Sequence, residues 1–125
     1  MKQQWRKALV LACIAFCFGA GGVRADEVPV VTGEHWTKSS PEVKKVYLIG
    51  IANVLQVETA YFGVNPPTDA QSFVPRMVRG LRGQTLDTVR DALDRWYGSN
   101  PERLQRPVLE TIWFEVVVPG LRKPN

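Results

Sequence analysis

The chain has 125 residues, of which 45% are hydrophobic and 22% charged, and its formal net charge is +4. That excess is confined to the first 25 residues, which carry Lys2, Arg6, Lys7 and Arg24 and no acid, so the remaining 100 hold twelve basic and twelve acidic side chains. A neutral body excludes charge as an argument for a nucleic-acid or anionic-membrane partner.

The start reads as a secretory signal peptide. A positive beginning is followed by an apolar run, Ala8 to Ala20, and then by Val23-Arg24-Ala25, with cleavage expected after Ala25. The run is shorter than the roughly 20 residues a membrane span needs. A lipoprotein at Cys13 would leave too short an apolar core and is disfavoured. The implied location is periplasmic or secreted, with no membrane span in the mature form. Cys13 and Cys17 leave with the leader, so the mature domain has neither disulfide nor thiolate chemistry.

Residues 26–38 show no sustained period, and Pro29 and Gly33 favour an extended arm anchored by Trp36. His35, the only histidine, is expected at the surface beside that anchor. Next comes SSPEVKKVYLIGIANVLQVETAYFG, residues 39–63. Ser39 or Ser40 as N-cap, Pro41 in the first turn and Gly63 as stop predict one long helix over 41–62. Val43, Tyr47, Gly50, Val54, Val57 and Tyr61 recur at steps of four and three, which predicts that this stripe faces the core. Gly50 inside it predicts close approach of a crossing helix or an aromatic ring.

After a turn-rich connector, GVNPPTD, a shorter helix is expected over about 71–81, with Phe73, Met77 and Leu81 inward and Arg76, Arg79 and Arg82 on the opposite, solvated face. Thr85 caps a helix over 86–97, with Leu86, Val89, Leu93 and Trp96 inward and the pairs Asp91–Arg95 and Arg90–Asp94 outside. Asn100-Pro101-Glu102 restarts a helix to about Val118, kinked at Pro107 and ended by Pro119-Gly120, with 121–125 a frayed tail. The sum is an all-α, compact bundle of four to five helices around one long central helix, in a domain spanning 39–120.

No nucleotide, metalloprotease or nucleophile-elbow motif occurs, and the sequence names no catalytic, cofactor-binding or metal-binding residue. Glu58, at the rim of the long helix's apolar stripe, reads first as a snorkelling or arginine-paired carboxylate. Its functional reading is a half-buried acid, which together with Glu115 gives the one pair available to a carboxylate-dependent hydrolase. The Arg76, Arg79 and Arg82 face could partner Glu58 or dock an acidic protein.

Gln84-Thr85-Leu86-Asp87-Thr88-Val89, Leu93-Asp94-Arg95-Trp96-Tyr97 and Asn100-Pro101-Glu102-Arg103-Leu104 resemble the helix–turn–helix of the Tai-like immunity proteins, small exported bacterial proteins that neutralise type VI secretion amidases. Tyr47-Leu48-Ile49-Gly50-Ile51 is similar to that family's tyrosine and glycine motif, and Val108 to Pro119 to its last helix. The likeness covers roughly residues 36–119. The family's cysteines have no counterpart, and Gly120 stands where one follows the final proline. No functional residue of the family carries over.

The expected function is that of a non-enzymatic, exported interaction protein. The resemblance implies that its partner is a cell-wall-degrading effector and allows a homodimer. The alternative is an acid-stress-type periplasmic chaperone, which would expose apolar surface near pH 2–3, roughly where carboxylates protonate.

Overall fold

The computed structural model describes residues 28–63 and 72–123. The signal-peptide expectation and most of the connector lie outside these residues. The described chain forms an all-α bundle: α1 Gly33–Lys38, α2 Pro41–Phe62, α3 Phe73–Gly80, α4 Leu86–Ser99, α5 Val108–Ile112 and α6 Val118–Leu121. A 3₁₀ turn, Pro101–Arg103, follows α4, and a π turn, Trp113–Val117, joins α5 to α6.

The arm is only partly extended. Thr32 forms an isolated antiparallel bridge with Pro107, and the chain then enters α1. His35 is exposed, and its Nδ1 accepts the Thr32 N–H at 3.2 Å, capping the short helix. The segment docks through its backbone: the Gly33 N–H donates to Arg106 O, the Glu34 N–H to Leu104 O, and the Val108 N–H to Val31 O. Gly33 is buried against Tyr97, where any side chain would overlap the ring.

Trp36 is the expected anchor, at 2% exposure. Its ring meets Tyr47 edge-on at 6.3 Å, and its indole N–H donates to Asp94 at 2.8 Å. Lys44 Nζ reaches the same carboxylate at 2.9 Å and lies 5.5 Å from the Trp36 ring. One carboxylate therefore ties α1, α2 and α4 together. The expected Arg90–Asp94 and Asp91–Arg95 pairs do not form, because Asp94 is engaged inward and Arg90 binds Asp87 and Asp91 instead.

The long helix has the expected bounds, fixed by Ser40 accepting the Val43 N–H, by Pro41 at the start, and by Gly63 at φ 77°. Its buried face is not the expected one. Val43, Val54, Val57 and Tyr61 are 57%, 57%, 58% and 81% exposed. Gly50 is exposed too, with nothing near the place a side chain would take. Tyr47 alone of that stripe is half-buried. The inward edge is Lys44, Tyr47, Leu48, Ile51 and Leu55, with Leu48 at 4%. This edge is turned by about 100° from the expected stripe, which is one residue of helix rotation.

The deepest part of the core lies on α1, α3, α4 and the C-terminal helices. Trp36, Met77, Leu93, Tyr97, Val108, Thr111, Ile112 and Val117 are all at or below 2% exposure. The spacing in α4 favours Trp96 as the inward ring, yet Tyr97 is the buried one. Its hydroxyl sits 3.0 Å from Arg106 O and 2.9 Å from Thr111 Oγ1, and Thr111 also donates to Pro107 O. Every buried polar side-chain atom among the described residues has a partner, as close packing of polar groups requires.

The C-terminal segment divides more sharply than expected. Pro101 starts only a 3₁₀ turn, and Pro107 is the N-cap of α5 at ψ 140° rather than a kink inside a helix. Pro119 and Gly120 do not stop the helix, which runs on to Leu121. The π turn explains this: the Val118 N–H bonds back five residues to Trp113 O. The widened turn just before Pro119 makes room for a ring that would otherwise meet the preceding turn. Gly120 then lies directly against the Gly80 backbone, so α3 and α6 cross at two glycines.

Burial raises the pKa of both Tyr47 and Tyr97 above the ordinary 10.0. Below about pH 10 both phenols are protonated, folded or unfolded, and their contribution to stability is complete. As the pH rises past about 10, the unfolded chain sheds protons that the folded chain keeps, so stability falls. The urea midpoint should therefore drop between about pH 8 and pH 11, and a Tyr47→Phe/Tyr97→Phe variant should show a visibly smaller drop. An equal drop in the variant would contradict the assignment.

Candidate interaction surface

Aromatic and arginine side chains converge where α3 meets the C-terminal helices. Pro75 falls in the first turn of α3, the one part of a helix that tolerates it, and Ser72 precedes the helix. This register buries Met77 and leaves Phe73 at 44% exposure, lying on Trp113 with ring centroids 4.7 Å apart. Helix rotation thus places Phe73 at the rim, not inward as its spacing predicts. Arg76 covers the Trp113 ring at 4.8 Å, a cation–π contact worth roughly 0.5–1 kcal/mol at an exposed site.

Val30, Phe73, Pro107, Leu109, Glu110 and Trp113 line a shallow apolar groove of about 360 Å³. Arg106 organises its border. The guanidinium lies 4.7 Å from the Trp96 ring and 5.4 Å from Phe114, and it pairs with Glu110 at 3.2 Å and Glu115 at 3.0 Å. The Arg106 side chain is 10% exposed, so its orientation is fixed. Val30 and Leu109 in the groove and Phe114 beside Arg106, at 59%, 38% and 51% exposure, leave apolar surface uncovered.

The residues singled out from sequence fall in different places. Arg76 belongs to this surface. Glu115 does too, as an acceptor for Arg106. Arg79 is half-buried on α3 and engaged, whereas Arg82 is exposed in the following turn. The three arginines thus do not form one solvated face. Glu58 is half-buried at the edge of α2 and makes no ion pair among the described residues. Glu115 is taken up by Arg106, so the structure does not join the two acids as a pair. No group of three or more histidine, cysteine or acidic residues suited to a metal occurs among the described residues. No described helix is long and apolar enough to cross a membrane.

Sequence reasoning missed Arg106, Trp113 and Phe114. The available signal was the Arg106–Glu110 spacing of four across Pro107, which places a basic and an acidic side chain on either side of the helix start. The aromatic partners come from three separate stretches and had no local signature. No family model, curated protein or solved structure matches this chain.

Proposed function

We propose that this chain is an exported, non-enzymatic protein that acts by binding another protein through the Phe73–Trp113–Leu109 groove and its arginine border. The observation that carries this is the exposed aromatic and apolar cluster set among oriented arginines. Tryptophan, tyrosine and arginine are the residues enriched where protein interfaces concentrate their binding energy. Arg106 is already immobilised by two carboxylates and two rings, so little side-chain entropy is lost on docking. The leader composition supports export, and the likeness to Tai-like proteins points to a peptidoglycan-cleaving effector as the partner.

The test is inhibition. The purified chain is added to a type VI secretion peptidoglycan amidase, and release of cell-wall fragments is followed. The proposal expects inhibition that Phe73→Glu/Leu109→Glu abolishes while the helical signal and melting temperature stay unchanged. Inhibition that is absent, or indifferent to the double variant, would contradict it.

A further inference from the structure

The outer face of α2 is a second, separate surface. Val43, Val46, Gly50, Asn53, Val57 and Ala60 recur at alternating steps of three and four over the full length of the helix, and all six are exposed. That is a heptad seam: Val43, Gly50 and Val57 are one register, and Val46, Asn53 and Ala60 the other. Ile49, Val54 and Tyr61 flank it, at 38%, 57% and 81% exposure. The buried face of α2 lies on the other side, through Leu48, Ile51 and Leu55. The helix is thus largely apolar both toward and away from its own core, and Asn53 is the one polar side chain on the outer seam.

We infer that this seam pairs with the same seam of a second copy, antiparallel, about a two-fold axis near the helix midpoint. The sequence of the seam is self-complementary in that sense. A two-fold axis between Ile51 and Ala52 sets Gly50 level with the partner's Asn53, Val46 with the partner's Val57, and Val43 with the partner's Ala60. Gly50 lets the helix axes approach closely at the centre and leaves room for the Asn53 side chain, and the valines toward the ends fill the space beside them. The two Asn53 side chains fall beside the axis, within reach of each other. A carboxamide carries both donor and acceptor, so it can pair with its own copy, N–H to C=O in both directions. A single buried asparagine on a heptad seam fixes register and partner number at some cost in stability; here it would hold the axis at the helix midpoint. No ionised side chain falls on the seam. Antiparallel pairing also sets each helix N-terminus beside the other's C-terminus, where the dipoles attract; parallel pairing would align them and bring the two Glu42 carboxylates together.

Val43, Val46, Val54, Val57 and Tyr61 are each more than half exposed, so the seam offers a continuous apolar face along the helix for an isologous contact, smaller than the roughly 800 Å² per partner of a standard interface. With an amide pair rather than a large apolar anchor at its centre, the dimer should dissociate in the micromolar range. The seam meets the groove lining only at Val30, which lies beside Val43, and Phe73, Leu109 and Trp113 lie off it, so variants at those residues test the two surfaces apart.

The experiment uses the full chain with Cys13→Ser and Cys17→Ser, which leaves no other thiol. Sedimentation should show a concentration-dependent monomer–dimer equilibrium. Val57→Asp, and independently Asn53→Asp, which sets two carboxylates together at the axis, should each shift it to monomer by roughly tenfold or more with unchanged helicity. Val46→Cys and Val57→Cys chains, mixed and oxidised, should give a heterodimer crosslink in preference to either homodimer, because only the mixed pair brings the Cα atoms within disulfide reach. A monomer at every concentration, a dimer indifferent to either aspartate, or preferred Val46→Cys homodimers would each overturn the inference. None of these results would disturb effector inhibition through Phe73 and Leu109.

Discussion

Gly120→Ala is expected to lower the melting temperature by on the order of 15 °C. The added methyl would enter the Gly80 carbonyl, carbon and Cα, all of them backbone atoms of α3. A clash with a flexible side chain can relax by rotation. A clash with backbone requires two helices to separate, and α3 is held at that point by Gly80 packing on Val117. Overpacking commonly costs about 1–3 kcal/mol, and this geometry belongs at the upper end. For a domain of this size each kcal/mol moves the midpoint by roughly 4–8 °C. Gly98→Ala is the control. Gly98 is exposed inside α4 with open space beside it, so alanine there should stabilise by about 0.5–1 kcal/mol through helix propensity. Thermal denaturation followed by circular dichroism separates the two. Equal shifts in the same direction would refute the α3–α6 glycine contact.

Trp36→Ala should cost about 3–5 kcal/mol, the range for truncating a buried aromatic. The loss has three parts: the packing of a ring at 2% exposure, the edge contact with Tyr47, and the indole N–H to Asp94. Trp36→Phe keeps much of the packing but loses the N–H and part of the ring volume, so it should retain roughly half of the stability that Trp36→Ala loses. Urea denaturation of the two variants measures the split. If Trp36→Ala cost less than about 1 kcal/mol, the α1 segment would be a tether rather than part of the core.

The boundaries of α2 were legible because they are local: a serine cap, a first-turn proline and a glycine in the left-handed region act within one turn. The face it buries was not legible. Val43, Val46, Val54, Val57 and Tyr61 form one apolar side while Leu48, Ile51 and Leu55 form another, so helical spacing has no unique phase here. Lys44 looked polar but lays its stem along Trp36, with its side chain only 14% exposed, as long cationic side chains do. Tyr97 was hidden behind Trp96, which satisfied the spacing equally well. The register was settled by Gly33, whose missing side chain admits the Tyr97 ring from a distant part of the chain. Pro119-Gly120 looked like a stop because the π turn before it has no sequence signature. The all-α character followed from several helix starts at once, each set by its own cap. The interaction surface, in contrast, depends on residues from 30 to 114 meeting in space.

The orientation of α2 is the claim on which its outer seam depends, and lysine substitutions on its two sides test it most directly. At protein concentrations low enough to keep the chain monomeric, Val57→Lys should leave the urea midpoint within the equivalent of about 0.5 kcal/mol of the parent, while Leu48→Lys should remove about 3 kcal/mol or more. The reverse result, a tolerated Leu48→Lys and an unfolded Val57→Lys, would show that the other stripe faces the core.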